Sequence, residues 1–556
     1  MLTFGRTCEQ IAGKSAKLEK IALLADYLRS LRDPDLEAAT RYFTGNPFAA
    51  REQKTLALGA RTIIAAAQNA WGFDDRQLHL NYREHGDLGA ALCGFVRPSP
   101  DLGLFKATLT PAALKLLFDD IAGVFGKTAG KKRQLLCERI FGACTHALEA
   151  KYIIKIMTGD LRIGLREGLV FESLAFAFGR AAPQVRRAAM LSGDIGTVAV
   201  AARIDALAEL RIAYGAPLAF MLASPIQFGS TYRELQMGSW IVEDKFDGIR
   251  AQLHKLGRAV HIYSRTLNDV SNSYPEVLEA AQRLSGDFIL DGELVAHRDG
   301  RVLPFRYLQA RLQRKSVPAE LLAQIPVQYV CFDMLAFDAH YLLDEPLRER
   351  RAKLAERLRP DERIVLAPWK DLNDNDSGAQ LQERFDDARA RGHEGLLLKR
   401  ADAAYHPGRR GKWWLKLKRE LSTLDVVVVA VEWGHGKRAK VLSDYTFAVR
   451  GQRGDLVTIG KAYSGLTDAE IAELTPWFLE HATASPTRHR VAVEPQIVLE
   501  VAFDIIQKSE LHSSGFALRF PRIVRLRHDK PPSEIDSLAR VEEIYTAMLL
   551  REGVQL

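Results

Sequence analysis

The chain has 556 residues, 47% of them hydrophobic and 26% charged, with a net charge of +8. It is too long for one core at ~150 residues per domain, too apolar for a disordered chain, and basic enough to suit a polyanionic partner. No apolar run approaches the ~20 residues of a membrane span, and the first residues carry no secretory apolar segment, so a cytoplasmic protein is expected. Cys8, Cys93, Cys137, Cys144 and Cys331 show no Cys-x-x-Cys spacing, which argues against a zinc module or a disulfide framework.

Residues 1–212 read as helical. Ile21, Leu24, Tyr27, Leu28 and Leu31 recur at helical spacing. Residues 126–133 read as a basic loop leading into a helix over 134–150. In 157–166, small residues permit close backbone approach and arginines suit phosphates. Gly215-Ala216-Pro217 and Ala223-Ser224-Pro225 then mark a change of regime. Residues 213–420 mix strands and helices. Residues 289–296 read as strand, turn or bulge, strand, and 329–335 as a buried strand. Helices are expected over 349–358 and 378–391, and strands over 395–399 and 413–418. In the last of these, alternation puts Lys416 and Lys418 on one face. From 421 the pattern is mostly β. Strands are expected over 426–431, 445–450, 456–461 and 497–505, with a helix over 468–481. Such a count suggests a small barrel of the oligonucleotide-binding kind. A strand-like run over 519–527, broken by Pro521, precedes a final helix over 533–550.

The chain is organised around Glu243-Asp244-Lys245-Phe246-Asp247-Gly248-Ile249-Arg250. Lys245 falls near the end of one strand, at the mouth of an Asp-Gly turn, with a second strand beyond. That position can present an amine to a phosphorus atom. A lysine amine is a nucleophile only when neutral, and neighbouring cations and desolvation favour that form. Alone, Lys-x-Asp-Gly is a weak signal, and an ordinary hairpin with a solvated lysine accounts for it.

The residues downstream change the balance. In order come Ser264-Arg265, Asp291-Gly292-Glu293, Phe332-Asp333, Glu394-Gly395, Lys416-Leu417-Lys418 and Arg519-Phe520-Pro521-Arg522. Each has a plain alternative: a turn, a core phenylalanine, a surface carboxylate, a solvated strand face. As an ordered set they resemble the nucleotidyltransferase motifs of ATP-dependent DNA ligases. Residues 131–170, with Gly159-Asp160-Leu161-Arg162-Ile163-Gly164-Leu165, resemble the helical DNA-binding domain of archaeal and eukaryotic replicative members. Gly465-Leu466-Thr467-Asp468 and Leu499-Glu500-Val501 resemble their oligonucleotide-binding (OB) domain. No sliding-clamp peptide is evident.

The resemblance implies an all-α DNA-binding domain over 1–212, an α+β adenylation domain over 213–420 and a β-barrel OB-fold over 421–556. It implies a bacterial or archaeal enzyme, acting as a monomer on nicked double-stranded DNA in replication, repair or recombination, nucleoid-associated in the cytoplasm. It implies ATP and Mg²⁺ as cofactors, with Mn²⁺ able to substitute. Lys245 would be the nucleophile, forming lysyl-AMP and releasing pyrophosphate; the AMP then passes to a 5′-phosphate, and a 3′-hydroxyl displaces it. Arg250, Arg265, Arg410, Lys416, Lys418 and Arg519 would supply positive charge to the nucleotide. Phe332 would stack on adenine, Glu243 would help define the base pocket, and Asp247 would orient the ribose or the metal shell. Glu293 and Glu394, hard oxygen ligands, would hold the metal. Two other readings stay open here: an mRNA capping guanylyltransferase or RNA ligase, which share Lys-x-Asp-Gly, and a nucleic-acid-binding scaffold without chemistry.

Overall fold

The computed structural model describes residues 1–551 apart from 97–108, 227–234, 236–237, 299, 313, 315, 339, 373–377, 419–421 and 484–489. The expected boundary at 420–421 lies outside the described residues. The chain forms two compact units, residues 1–70 with 97–419, and residues 71–96 with 420–556.

The helices of the first unit follow the apolar spacing. Lys17–Ser30 buries Ile21, Leu24, Tyr27 and Leu28. Phe4 is the hub of an aromatic cluster with Tyr27, Tyr42, Phe43 and Tyr152. Asp194 caps Ile195–Arg203 by accepting from the Gly196 amide, and binds the Arg41 guanidinium through both oxygens at 2.8 and 2.6 Å. One carboxylate thus ends one helix and ties it to another, Asp33–Phe43.

Two expectations in this region are corrected. The basic residues Lys131, Lys132 and Arg133 are not loop, because the helix Ala129–Ala143 already contains them. The helix expected over 134–150 is two helices, and the second is Ala147–Met157. The break is chemical. His146 accepts from the Leu148 amide, and the Glu149 carboxylate accepts from both the amide and the hydroxyl of Thr145, so local side chains satisfy a new helix start. The loop after Met157 is held by two buried lysines. Lys20 donates to the carbonyls of Ile163 and Gly164, and Lys155 to that of Leu161.

Residues 222–418 build two sheets. A five-stranded sheet runs Leu222–Ile226, Arg410–Lys418, Gly395–Arg400, Trp240–Lys245, Trp369–Leu372. A seven-stranded sheet is built on Ala259–Ser264, Ile249–Leu256, Phe288–Arg298 and Val327–Phe337. The strands on either side of Asp247-Gly248 therefore belong to different sheets and are not a hairpin. Gly248 sits where the sheets approach: a Cβ there would lie 2.3 Å from the Leu294 carbonyl oxygen. The turn considered at Asp291-Gly292 is absent. Phe288–Arg298 is one strand, with register shifts against Val327–Phe337 on either side of Leu290-Asp291.

One buried titratable group here has a measurable consequence. His254 is 1% exposed, accepts at Nδ1 from the Gly215 amide and sets Nε2 3.2 Å from the side-chain Oε1 of Gln252. Burial, with a smaller push from His261, takes its pKa down to about 3. The folded protein keeps His254 neutral, while the unfolded chain protonates it below pH ~6.5. Its contribution to stability is therefore complete above pH ~6.5 and is lost as pH falls toward 3. Between pH 7 and 5 the loss amounts to about 2 kcal/mol. His254→Asn keeps an acceptor for Gly215 and removes the titration. Urea midpoints at the two pH values should show the parent losing more stability than the variant; parallel losses would refute the assignment.

The second unit carries a sheet ordered Leu456–Ala462, Leu442–Arg450, Ser422–Trp433, Val498–Phe503, Arg522–Leu526, with Arg490–Ala492 paired to Ser422–Trp433. Its interior is packed by Val426, Val431, Phe447, Ile459, Leu499 and Val501. Helix Asp468–Glu480 starts at a capping box, Thr467 with Glu470. Helix Asp75–His85 belongs to this unit, and Arg83 lies over the Trp433 ring. The run over 519–527 is two strands in two sheets. Phe516–Arg519 pairs with Ile505–Lys508, whereas Arg522–Leu526 pairs with Val498–Phe503. Phe520 divides them at φ +51°. The final helix is Leu538–Arg551, and 532–534 form a separate 3₁₀ turn.

Candidate active site

Three neighbouring strands set the site by register. Lys245 ends its strand opposite Gly395, and Gly395 lies opposite Lys418. Two residues along, Glu243, Leu397 and Lys416 form a parallel row. Side chains two apart share a face, so both rows project the same way. Gly395 adopts φ +147°, and a Cβ there would meet the Leu417 carbonyl oxygen at 2.3 Å. That backbone swings the preceding residue, Glu394, between the two lysines. Its amide donates to the Lys245 carbonyl at 2.7 Å, and its Oε2 forms ion pairs with Lys245 Nζ, at 2.8 Å, and with Lys418 Nζ.

A cavity opens over these rows. It is lined by Glu243, Lys245 and Lys416 of this sheet, by Arg250, Glu293 and Phe332 of the other, and by Arg265 and Arg410 at the rim. Lys418 and Glu394 adjoin it through Lys245. Arg519, also expected at the site, lies in the second unit at the end of Phe516–Arg519, its guanidinium 5.2 Å from the Phe520 ring centroid.

The cavity is electrostatically divided. Burial, then the nearby charges of Lys418, Arg410, Lys245 and Arg265, depress the Lys416 pKa, which reports a cluster of cations. Opposite them, burial raises the Glu293 carboxyl to about 8, against the pull of Lys245 and Arg250. Burial and then the Glu394 charge raise Asp247 to about 6. Burial also opposes ionisation of Glu394, yet Lys245 and Lys418 hold that carboxyl below its ordinary value. Arg250 lines the cavity with its charge already engaged. Asp291, fully buried, takes its guanidinium through both oxygens at 3.1 and 2.7 Å and also accepts from Tyr405.

Phe332 is held from behind. Asp333 and Arg350, both fully buried, form a bidentate pair with two contacts of 2.8 Å, and Arg351 donates to the Phe332 and Ala367 carbonyls. The motif Phe332-Asp333 therefore divides its labour between cavity wall and anchor.

Sequence reasoning passed over Trp414, Lys399 and Arg351. The period of two that placed Lys416 and Lys418 on one face includes Trp414, which lines the cavity. Lys399 closes an apolar run, Leu396-Leu397-Leu398, where a charge has to find a buried partner. Among the described residues, no group of three or more His, Cys, Asp or Glu side chains is arranged to hold a metal by itself.

A strand-end lysine against a carboxylate, facing clustered cations and an aromatic wall, is equipped for nucleotidyl transfer, where charge develops on phosphate oxygens. Residues 2–175 match the family described as DNA ligase N terminus, 220–418 the ATP dependent DNA ligase domain, and 438–530 the ATP dependent DNA ligase C terminal region. A "Probable DNA ligase" of Koribacter versatilis is 45% identical over 98% of this chain and 96% of its own. A "DNA ligase" of Archaeoglobus fulgidus is 36% identical over 98% of each. A solved structure titled Pmar-Lig_PreS3 shares the fold at a TM-score of 0.60, with 16% identity over 94% of this chain and 99% of its own. The chain belongs to the ATP-dependent DNA ligase family, with its three-domain architecture of a helical N-terminal domain and two sheet-rich domains. Its reaction forms phosphodiester bonds at nicks in duplex DNA, through a lysyl-AMP intermediate and an adenylylated 5′-phosphate. Among the described residues, no helix is long and apolar enough to cross a membrane.

Proposed function

We propose that Lys245 is the nucleophile of the ligase reaction and that the cavity above it is the ATP site. The carrying observation is the placement of Lys245 Nζ, 2.8 Å from Glu394 Oε2, beneath the cations Arg265, Arg410 and Lys416. Nζ sheds its proton, with Glu394 the acceptor in contact, and bonds to the α-phosphorus as the bond to pyrophosphate breaks. Arg265, Arg410, Lys416 and Lys418 offset the charge gathering on the phosphates. Arg250 serves more by shape, because Asp291 engages its charge. Phe332 stacks on the adenine, and Glu243 stands at the base edge. Arg519, which the resemblance adds to this set, would act in the step that expels pyrophosphate.

The carboxyl groups suit a divalent cation. Glu293 and Asp247 are pushed toward protonation by burial and by Glu394, so a cation among them would release protons and relieve that strain. Glu293 and Glu394 would hold Mg²⁺, and Asp247 would orient the ribose or the metal shell. Two carboxylates suffice, because Mg²⁺ keeps waters and shares the phosphates it neutralises.

The domains are 1–212 for DNA binding, 213–420 for adenylation and 421–556 as an OB-fold. The sheet of the second unit, with one capped helix between its strands, supports the last reading. The enzyme works as a monomer around nicked DNA, nucleoid-associated in a bacterial or archaeal cytoplasm. Incubation with α-labelled ATP and α-labelled GTP tests the core of this proposal. Label from ATP alone, dependent on a divalent cation, is expected. Label from GTP would point to a capping enzyme, and no label from either to a scaffold.

A further inference from the structure

Asp244, next to Lys245, holds an ion pair that the chemistry above does not use. Glu243 and Lys245 share the cavity face of their strand, and alternation turns the Asp244 side chain to the opposite face. There its register partner is Leu396, which packs with Leu381, Phe385 and Ala388 of the helix Gly378–Ala390. The Arg391 guanidinium, just past that helix, takes both oxygens of Asp244. Its Nη2 donates to Oδ1 at 2.9 Å and to Oδ2 at 3.0 Å, and its Nε to Oδ2 at 3.2 Å. His393 Nε2 stands 3.3 Å from the same Oδ2. The His393 ring also meets the Phe246 ring edge-on, with centroids 4.7 Å apart. One short segment, 391–393, thus grips the residues on both sides of Lys245.

The same segment delivers Glu394. Gly392 takes φ +89°, its amide donates to the Arg389 carbonyl at 3.0 Å, and the His393 amide donates to the Ala388 carbonyl at 3.0 Å. These two bonds are the pair that closes a helix in a Schellman cap. Arg389 Nη1 donates in turn to the His393 carbonyl at 2.9 Å. The backbone is therefore fixed on both sides of the glycine, up to the Glu394 amide and its bond to the Lys245 carbonyl. The helix end sets where the Glu394 carboxylate stands. Arg391 and His393 fasten that helix end to the strand of Lys245.

We propose that Arg391 and Asp244 are positioning residues for the nucleophile: their ion pair, on the opposite face of the strand, aligns the Lys245 amine with the Glu394 carboxylate. This rests on reading Lys245 as the nucleophile. A guanidinium suits the task because its planar fork fixes orientation as well as distance, whereas an ammonium supplies only a point charge. Folding does not depend on the pair. Arg391 is 54% exposed and Asp244 18%, and ion pairs this open contribute little to stability. What the pair supplies is alignment, and a small misplacement of reacting groups slows chemistry steeply. The cations Arg265, Arg410 and Lys416 lie on other segments, so ATP binding is spared.

The test is single-turnover formation of lysyl-AMP across ATP concentrations, with urea midpoints measured alongside. Five proteins are compared: the parent, Arg391→Met, Arg391→Lys, Asp244→Asn and the double variant of Asp244→Asn with Arg391→Met. Arg391→Met should lower the rate at saturating ATP on the order of tenfold. The ATP concentration giving half the maximal rate and the urea midpoint should both stay at the parent's values. Arg391→Lys should recover part of the rate. Asp244→Asn should slow the reaction comparably, and the double variant should be no slower than the worse single one, because both act through one contact. A parent-like saturating rate in Arg391→Met would show a plain surface ion pair and overturn the proposal. So would a loss seen only in the ATP concentration required, or a lowered urea midpoint with the rate per folded molecule unchanged. If Asp244→Asn fails to fold, the two variants of exposed Arg391 decide: a loss with partial recovery by lysine supports the proposal, and parent rates in both overturn it. A parent protein that forms no adduct, or forms it on another lysine, would sink the reading of Lys245 instead, which keeps the two failures distinct.

Discussion

Lys245→Ala is expected to abolish both the protein–AMP adduct and nick sealing, while the protein remains folded and still binds nicked DNA. The first part follows from chemistry: among the lysines at this site, Lys245 alone ends the strand against Glu394 at 2.8 Å while also lining the cavity. The second follows from packing. Lys245 is 19% exposed, and its partner Glu394 keeps Lys418 when the amine is removed, so no buried charge is stranded. The loss of stability should therefore stay within about 1 kcal/mol, as for a partly exposed ion pair. DNA affinity should persist because it comes mainly from phosphate contacts spread over a large surface. Adduct mapping by mass spectrometry, together with nick binding at fixed salt, checks all three. Lys418 shares the same carboxylate, so an adduct appearing there in the variant would overturn the assignment.

The second large effect concerns Arg519 and Arg522. The arginines at the end of the chain are not equivalent. Arg525 is paired with Glu500 at 2.7 Å, and Arg527 with Asp425 and Asp529. Arg519 ends one strand against the ring of Phe520, and Arg522 begins another, exposed. Phe520 itself is 67% exposed and held at φ +51°, a conformation uncommon for a bulky residue. This corner presents two arginines where the next two are already engaged. A cation that meets the leaving pyrophosphate helps only the step in which pyrophosphate departs. Arg519→Ala and Arg522→Ala should therefore slow lysyl-AMP formation by roughly 10²-fold or more, the scale of losing one fixed positive contact in a transition state. Sealing of a nick that already carries 5′-AMP should change much less. Single-turnover rates on ATP and on pre-adenylylated nicked DNA measure the two steps separately. Equal losses on both, deepening with salt, would mean that these arginines hold DNA phosphates and would sink the division of labour.

What the sequence offered by itself was a set of residues and their order along the chain. Lys245, Arg265, Glu293, Phe332, Glu394, Lys416 and Lys418 are polar or aromatic residues at turn and strand positions, each with a plain local alternative, and it is the resemblance of the ordered set to ATP-dependent DNA ligase motifs that marks them as candidates. Helices with strong apolar spacing, such as Lys17–Ser30, were legible from that spacing alone. Boundaries set by a few hydrogen bonds were not: the helix break at 144–146 depends on Thr145, His146 and Glu149 satisfying one another, which outweighs the helical spacing on either side. Only the tertiary structure decided which residues stand behind the wall. Asp291 read as a turn residue and is instead the buried partner of Arg250. Asp333 anchors Phe332 through Arg350, seventeen residues on, and Lys399 meets Glu243 across 156 positions of sequence. Such pairs have no local signature, because the desolvation that makes each charge need the other exists only once the two sheets have closed over them.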